Sequence, residues 1–222
     1  MNVAGLVIGA VLPYVAAGLF LFSIAVRIYR WATIRHPLKW SLYPIPDGRS
    51  AQLVFMLKEV LSFRAVFHNN RKLWLGSWLF HIGIALIALW FVTFVSGLHL
   101  GLALRAGIAL ITLMPLYLLS VRLINPGLRA VSSPIEYFNL LIFIAIGASG
   151  TALLTFGKPD PEAVRGYFLG LLSFHPVPLA GSGLFLCILA LSEFFMIYFP
   201  NSRMLHMVSK YFTYDKISWE SH

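Results

Sequence analysis

Long apolar runs separated by short polar connections dominate the pattern of this chain. A helix of about 20 apolar residues crosses a hydrocarbon layer of about 30 Å, and five runs reach that length. The pattern therefore predicts five transmembrane helices, at residues 4–29, 73–98, 102–124, 134–156 and 179–199. Pro134 suits the first turn of the fourth helix, and Asn125, Pro126 and Gly127 suit the stop after the third. The predicted fold class is an all-α integral membrane protein, with one domain over residues 1–222.

Composition and charge support this class. Hydrophobic residues make up 59% of the chain and charged residues 11%, with a mean hydropathy of +0.81, which excludes an ordinary soluble domain. The net charge of +9 does not indicate nucleic-acid binding, because the basic residues flank the apolar runs. Cys187 is the one cysteine, so neither a disulfide nor a Cys-ligated iron–sulfur cluster is expected. No basic residue precedes the first apolar run, which predicts a retained span rather than a signal peptide.

Basic residues in the connections predict the orientation. With the N-terminus outside and the C-terminus in the cytoplasm, fourteen of the 17 Lys and Arg residues fall on the cytoplasmic side. Arg105, Lys158 and Arg165 are the three that fall on the outer side. The positive-inside rule favours this orientation over its reverse.

Two segments outside the spans lie on the predicted cytoplasmic side, a long connection at residues 30–72 and a C-terminal extension at residues 201–222. The connection contains apolar residues at helical spacing between polar ones, namely Leu53, Val54, Met56, Leu57, Val60 and Leu61. This spacing predicts an amphipathic helix. Such a helix either anchors the chain at the membrane surface or docks a partner, and the sequence leaves both open.

Two histidines in apolar surroundings are the candidate haem ligands. His81 lies eight residues into the second apolar run, and His206 follows the end of the fifth. Both fall in the cytoplasmic half of the membrane if the fifth helix starts late and continues through a kink at Pro200. Ionisable residues at membrane depth are functional by default, and histidine is a common axial ligand of haem iron. The pair predicts a membrane cytochrome b with one bis-histidine haem b; the alternative is that each ring hydrogen-bonds a neighbouring helix.

Residues near the two histidines are assigned supporting roles. Gly76 and Gly83 flank His81 and would let a porphyrin approach the backbone closely. Arg203 precedes His206 by one helical turn, where its guanidinium would pair with a haem propionate.

Three further residues are candidates for quinone and proton chemistry. His99 and His175 lie at the outer ends of the helices, where they either pass protons at a quinol site or are solvated loop residues. They also offer a substitute site for a second haem, although His99 lies about 27 Å along a helix from His81. Glu193 lies inside the fifth apolar run, where it either hydrogen-bonds a neighbouring helix or relays protons beside a quinone.

Several segments resemble the gamma subunit of respiratory nitrate reductase. They are residues 79–83 (LFHIG), 199–206 (FPNSRMLH), 125–130 (NPGLRA), 152–155 (ALLT) and 173–175 (SFH). The long first connection and the segment at residues 72–81 (KLWLGSWLFH) look closer to other relatives of that subunit. These are the membrane cytochromes of the sulfite-reductase-associated and transmembrane electron-transfer complexes, which are also similar to the heterodisulfide reductase cytochrome subunit.

The resemblance implies a haem b subunit of a respiratory complex in a bacterial or archaeal cytoplasmic membrane. Such a subunit transfers electrons between membrane quinone, including menaquinone, and a cytoplasmic iron–sulfur subunit, with further membrane or periplasmic cytochrome subunits as partners. In the nitrate reductase subunit a second haem is ligated at the positions that Phe91 and Ile188 occupy here. Neither side chain can ligate iron, so no outer haem is expected at that position.

Two other classes of function compete with this interpretation. One is a cofactor-free membrane anchor for a soluble redox enzyme. The other is a small transporter, which the sequence disfavours because no internal repeat or broken-helix pair is visible. The direction of electron flow and the type of quinone do not follow from the sequence.

Overall fold

The computed structural model of the protein describes residues 3–33, 46–177 and 183–213. Within these ranges the regular structure is helical throughout and contains no strand. Five helices are long and apolar enough to cross a membrane: Val3–Thr33, Arg71–Val95, Gly101–Ile124, Pro134–Gly157 and Gly183–Asn201. The prediction of five spans in an all-helical chain is therefore confirmed. The first residues of the fifth predicted helix, 179–182, lie outside the described residues.

The elements are numbered here in chain order. The α-helices are α1 (Val3–Leu6), α2 (Leu12–Thr33), α3 (Gly48–Ser62), α4 (Arg64–Asn69), α5 (Arg71–Val95), α6 (Gly101–Ile124), α7 (Pro126–Val131), α8 (Pro134–Ala152), α9 (Pro161–Leu172), α10 (Gly183–Tyr198) and α11 (His206–Thr213). A π-helical segment, Val7–Val11, joins α1 to α2, and a second one, Leu153–Gly157, continues α8.

Successive spans run in opposite directions. Two contacts fix the direction of the first span: Tyr14 donates a hydrogen bond to the carbonyl of Leu171 in α9, and Trp31 contacts Phe212 in α11. The end of the bundle where α2 and α10 finish and α5 begins is named the basic end. The other end, which α9 covers, is named the opposite end.

Glycines allow the close approach of α5 and α6. A Cβ atom added to Gly83 would lie 2.7 Å from Cβ of Leu110 and 3.2 Å from the carbonyl oxygen of Gly107. A Cβ atom added to Gly76 would lie 2.8 Å from Cδ2 of the Leu118 side chain. Small residues let membrane helices pack backbone against backbone. Gly83 and Gly76 thus take part in the packing of α5 against α6.

A buried cluster lies toward the opposite end, formed by Phe94, Leu153, Val164, Tyr167 and Phe185. Two of these residues come from α9, for which the sequence predicted no helix. Pro161 occupies the first turn of α9, and Asp160 caps it by accepting hydrogen bonds from two backbone N–H groups. Tyr167 is 1% exposed and donates a hydrogen bond to the carbonyl of Gly9 in the first span.

The predicted amphipathic helix is present as α3, at Gly48–Ser62. Its last turn is attached to α5 by two indole groups. Trp74 donates to the carbonyl of Ser62 at 2.8 Å, and Trp78 donates to the carbonyl of Leu61 at 3.0 Å. These bonds satisfy carbonyl groups that a helix C-terminus leaves without intrahelical partners.

The last span ends where the sequence predicted a kinked continuation. α10 finishes at Tyr198, and a 3₁₀ turn over Phe199–Asn201 follows. Pro200 has no N–H group for the α-helical ladder, and Ser202 is extended, with φ −97° and ψ 174°. The hydroxyl of Ser202 accepts a hydrogen bond from the N–H of Met204 and so starts a new turn. The prediction of one continuous kinked helix is therefore wrong, because His206 begins a separate helix, α11.

Candidate haem-binding site

His81 from α5 and His206 from α11 lie next to each other. Their ring centres are 6.0 Å apart, and the ring planes are inclined by 80°. Two imidazole nitrogens bound to one metal ion at about 2 Å each would hold the ring centres about 6 Å apart, since each centre lies about 1 Å behind its nitrogen. The separation of the two ring centres is therefore compatible with one metal ion between them when a nitrogen of each ring faces it.

The orientation of His81 is fixed by a backbone contact. Its Nδ1 atom lies 2.7 Å from the carbonyl oxygen of Ser77, one helical turn earlier. Because a carbonyl only accepts hydrogen bonds, Nδ1 carries the proton and Nε2 presents a lone pair. Metal-ligating histidines usually hold their other nitrogen in this way, which sets both the tautomer and the ring direction.

The environment of His206 favours the neutral imidazole that binds metals. His206 is an exposed residue, yet neighbouring atoms displace enough water from its ring to lower the pKa of His206. The charges of His81 and Lys210 lower this pKa further, while hydrogen bonding to the backbone of Arg203 and Met204 opposes the shift. A neutral ring at neutral pH retains the lone pair that a metal requires.

Aromatic rings surround the His81 side of the pair. The rings of Phe63 and Phe80 meet the imidazole edge-on, with centres 4.8 Å and 5.2 Å away. Phe143 of α8 packs on Phe80 at 4.6 Å, and Phe195 of α10 packs on Phe143 at 4.9 Å. An apolar shell of this kind limits water access and lowers the local dielectric constant around a metal.

Phe63 has an unusual backbone as well. Its φ of 50° lies in the left-handed region, which bulky residues rarely adopt. It is the single residue between α3 and α4, so the strained position turns the chain and directs the ring toward His81. The sequence does not predict the contact of Phe63 with His81, because tertiary contacts impose the left-handed conformation of Phe63.

Arg203 lies in a short 3₁₀ turn three residues before His206. Its side chain is exposed, and the ion pairs found within the described residues do not include it. An exposed guanidinium close to a haem ligand suits a propionate partner. The described residues contain no cluster of three or more metal-ligating side chains.

The candidates at the opposite end remain at the surface. Nε2 of His99 lies 3.4 Å from a carboxylate oxygen of Glu162, and more than half of each side chain is exposed. Nδ1 of His175 bonds to the carbonyl of Ser173, and this residue is also exposed. Within the described part of the chain His99 and His175 make no ring contact with each other, unlike His81 and His206.

Glu193 is a buried carboxylic acid residue in α10. The residue is 4% exposed, and neither carboxyl oxygen has a hydrogen-bond partner among the described residues. Burial raises the pKa of Tyr167 to about 12, and the negative charge of the Glu193 carboxylate is the second cause of this shift. Buried polar groups without partners are rare, and each calls for an explanation such as a catalytic role or a bound water.

Two contacts, one at each end of the bundle, were not predicted from the sequence. Arg165, which the sequence placed only on the outer side, donates to the carbonyls of Phe94 and Val95 and so caps the end of α5. Glu59, a polar residue of the amphipathic helix, is 7% exposed and forms an ion pair with Lys210 in α11. Neither partner is near in sequence, so a pattern of residue types could not have revealed them.

Comparison with known proteins identifies a related chain. No family model matches the sequence. The chain is 26% identical to the Hdr-like menaquinol oxidoreductase cytochrome b-like subunit of Archaeoglobus fulgidus over 265 aligned positions, which cover 94% of this chain and 78% of the relative. This similarity supports the heterodisulfide-reductase-like group among the predicted resemblances and does not bear on the nitrate reductase subunit. With the five apolar helices, it fits a multi-pass membrane protein.

Proposed function

We propose that this protein is the haem b subunit of a respiratory complex, passing electrons between membrane menaquinone and a cytoplasmic iron–sulfur subunit. The observation that carries the proposal is the pair of rings of His81 and His206 at 6.0 Å, with Nε2 of His81 left available by its bond to Ser77. The name of the relative from Archaeoglobus fulgidus, a menaquinol oxidoreductase cytochrome b-like subunit, supports the quinone and the cytochrome.

In this proposal His81 and His206 hold the haem iron, and Arg203 binds a propionate. When bound, the haem supplies one-electron transfer, and the protein supplies ligation, orientation and electrostatics. The carbonyl of Ser77 keeps the His81 ring in the ligating tautomer. The ring of Phe63 excludes water from the same imidazole.

Oxidation of a quinol releases protons as well as electrons, so a quinone site needs a titratable group. Glu193 is the candidate within the membrane, because its buried carboxyl oxygens have no partner in the described residues. His99 and His175 are the candidates at the opposite end, where both reach solvent. A proton taken up by Glu193 would leave past these histidines on the outer side of the membrane.

The basic end would face the cytoplasm and the electron-transfer partner. Exposed basic residues in this region include Arg64, Arg71, Lys72 and Arg129. A positive surface attracts an acidic partner surface over a distance set by ionic strength. Association with the iron–sulfur subunit should therefore weaken as salt is raised.

The test is the response of the purified protein to a menaquinol analogue. We expect a reduced-minus-oxidised spectrum of a b-type haem that appears when the quinol is added. Glu193→Gln should slow this reduction, while the neighbouring substitution Ser192→Ala should not. A protein that purifies without haem would contradict the proposal and favour a cofactor-free anchor.

A further inference from the structure

The element that carries His206 is weakly supported by its own chain. α11 has eight residues, and a break at Pro200 and Ser202 separates it from the membrane-spanning α10. A helix of this length is not stable alone in water, because its nucleation costs more than so few hydrogen bonds return. Contacts from other elements must therefore hold α11, and with it the imidazole of His206, in place.

One such contact is an ion pair with α3. Nζ of Lys210 lies 3.1 Å from Oε1 of Glu59, and the carboxylate side chain is 9% exposed. Lys210 follows His206 by four residues, so both side chains lie on the same face of α11. The same Glu59 oxygen accepts a hydrogen bond from the N–H of Ala65 in α4, at 3.2 Å. Glu59 thus connects the α3–α4 segment to the helix that begins with His206.

The α3–α4 segment also contacts the other histidine. The ring of Phe63, between the two helices, packs edge-on against His81 at 4.8 Å. Trp74 and Trp78 attach the end of α3 to α5, the helix that carries His81. The segment therefore contacts His81 directly and contacts the His206 helix through Glu59.

We infer that Glu59 is a positioning residue, which sets the place of His206 relative to His81 through Lys210. The inference rests on the proposed function, in which the two histidines ligate haem. A role of α3 in membrane anchoring alone does not explain why Glu59 is buried. A surface helix presents its charges to water, whereas Glu59 is buried, and a buried carboxylate is costly unless a cation and hydrogen-bond donors satisfy it.

The first test compares Glu59→Gln with Lys58→Gln. Lys58 is exposed on the same helix, so its substitution removes a neighbouring charge without touching the ion pair. Glu59→Gln should shift the low-spin haem signal in electron paramagnetic resonance and change the midpoint potential, and Lys58→Gln should change neither. The double substitution Glu59→Lys with Lys210→Glu restores the ion pair but not the hydrogen bond from Ala65, so it should bring the signal only part of the way back. A Glu59→Gln signal and potential equal to those of the unsubstituted protein would overturn the inference.

The second test does not need haem. Arg203 is exposed between α10 and α11, so trypsin cleavage after it reports how often α11 detaches. In protein prepared without haem, Glu59→Gln should speed this cleavage at least about fivefold over Lys58→Gln, the change expected when a stabilising contact of this kind is lost. Equal cleavage rates would refute the ion pair as the support of α11. Faster cleavage in a protein that never binds haem would support that link and refute the proposed function instead.

Discussion

At the scale of single residues, the carboxyl group of Glu193 is the least compensated feature of the described structure. Its oxygens are buried and lack partners among the described residues. Leaving a buried polar group unsatisfied costs about 1–3 kcal/mol. A residue retained at that cost is a reasonable place to look for proton chemistry.

Because of this cost, we expect removal of the carboxyl group to raise stability and to lower activity. Glu193→Leu replaces the carboxyl group with an apolar group of similar size, so the thermal midpoint in detergent should rise, by the equivalent of about 1 kcal/mol or more. The rate of haem reduction by a quinol analogue should fall. Ser192→Ala is the control and should leave both unchanged. A Leu variant that is less stable and equally fast would contradict this role.

A sequence pattern reveals a residue whose type is unusual in its surroundings. It does not reveal a residue that matters because of the neighbours it has in the folded chain. His81, His206 and Glu193 are conspicuous because ionisable groups rarely occur in apolar runs. The hydrogen bond from His81 to the carbonyl of Ser77 cannot be predicted from residue types, because every residue has a backbone carbonyl. The Glu59–Lys210 pair joins residues 151 positions apart, so only the folded chain brings them together.

At the scale of elements, backbone proximity between α5 and α6 depends on glycine. Gly83→Ala should destabilise the protein by about 1–3 kcal/mol, because the new methyl would lie 2.7 Å from Cβ of Leu110, which cannot move without its backbone. Gly18→Ala in the first span is the matched control, since a Cβ there meets nothing within 4 Å. Thermal midpoints of the two variants in detergent test this. Equal midpoints would show that α5 and α6 are not packed as described.

The capping of α5 by Arg165 gives a second prediction for an element. Arg165→Met removes the bonds to the last carbonyls of α5 and should lower stability by about 1 kcal/mol, a moderate value because the side chain is 29% exposed. Arg105→Met removes an exposed charge near the start of α6 and should have little effect. If the two variants had the same thermal midpoint, the cap would be energetically unimportant.

Hydropathy and length predict the five spans because a membrane imposes both on any helix that crosses it. The same signals do not find α4 or α9, which are short and lie outside the spans. The end of α10 was mispredicted for a local reason. A proline either kinks a helix or ends it. Here the helix ends, because the hydroxyl of Ser202 caps the next turn.

At the scale of the whole molecule, the orientation in the membrane determines what the two ends do. The distribution of Lys and Arg predicts that the C-terminus is cytoplasmic and that Lys158 is outside. A reporter fused to the C-terminus should be active in the cytoplasm, and one inserted at Lys158 should be active on the outer side. A cytoplasmic signal at Lys158 would reverse the orientation and move the haem to the outer half.

The central claim is that one haem lies between His81 and His206, and haem content per polypeptide tests it most directly. Purified unsubstituted protein should contain one haem b, and His81→Ala and His206→Ala should each lose most of it while still inserting into the membrane. His99→Ala and His175→Ala, whose rings lie at the opposite end, should keep it. Full haem occupancy in either the His81 or the His206 variant would contradict the account.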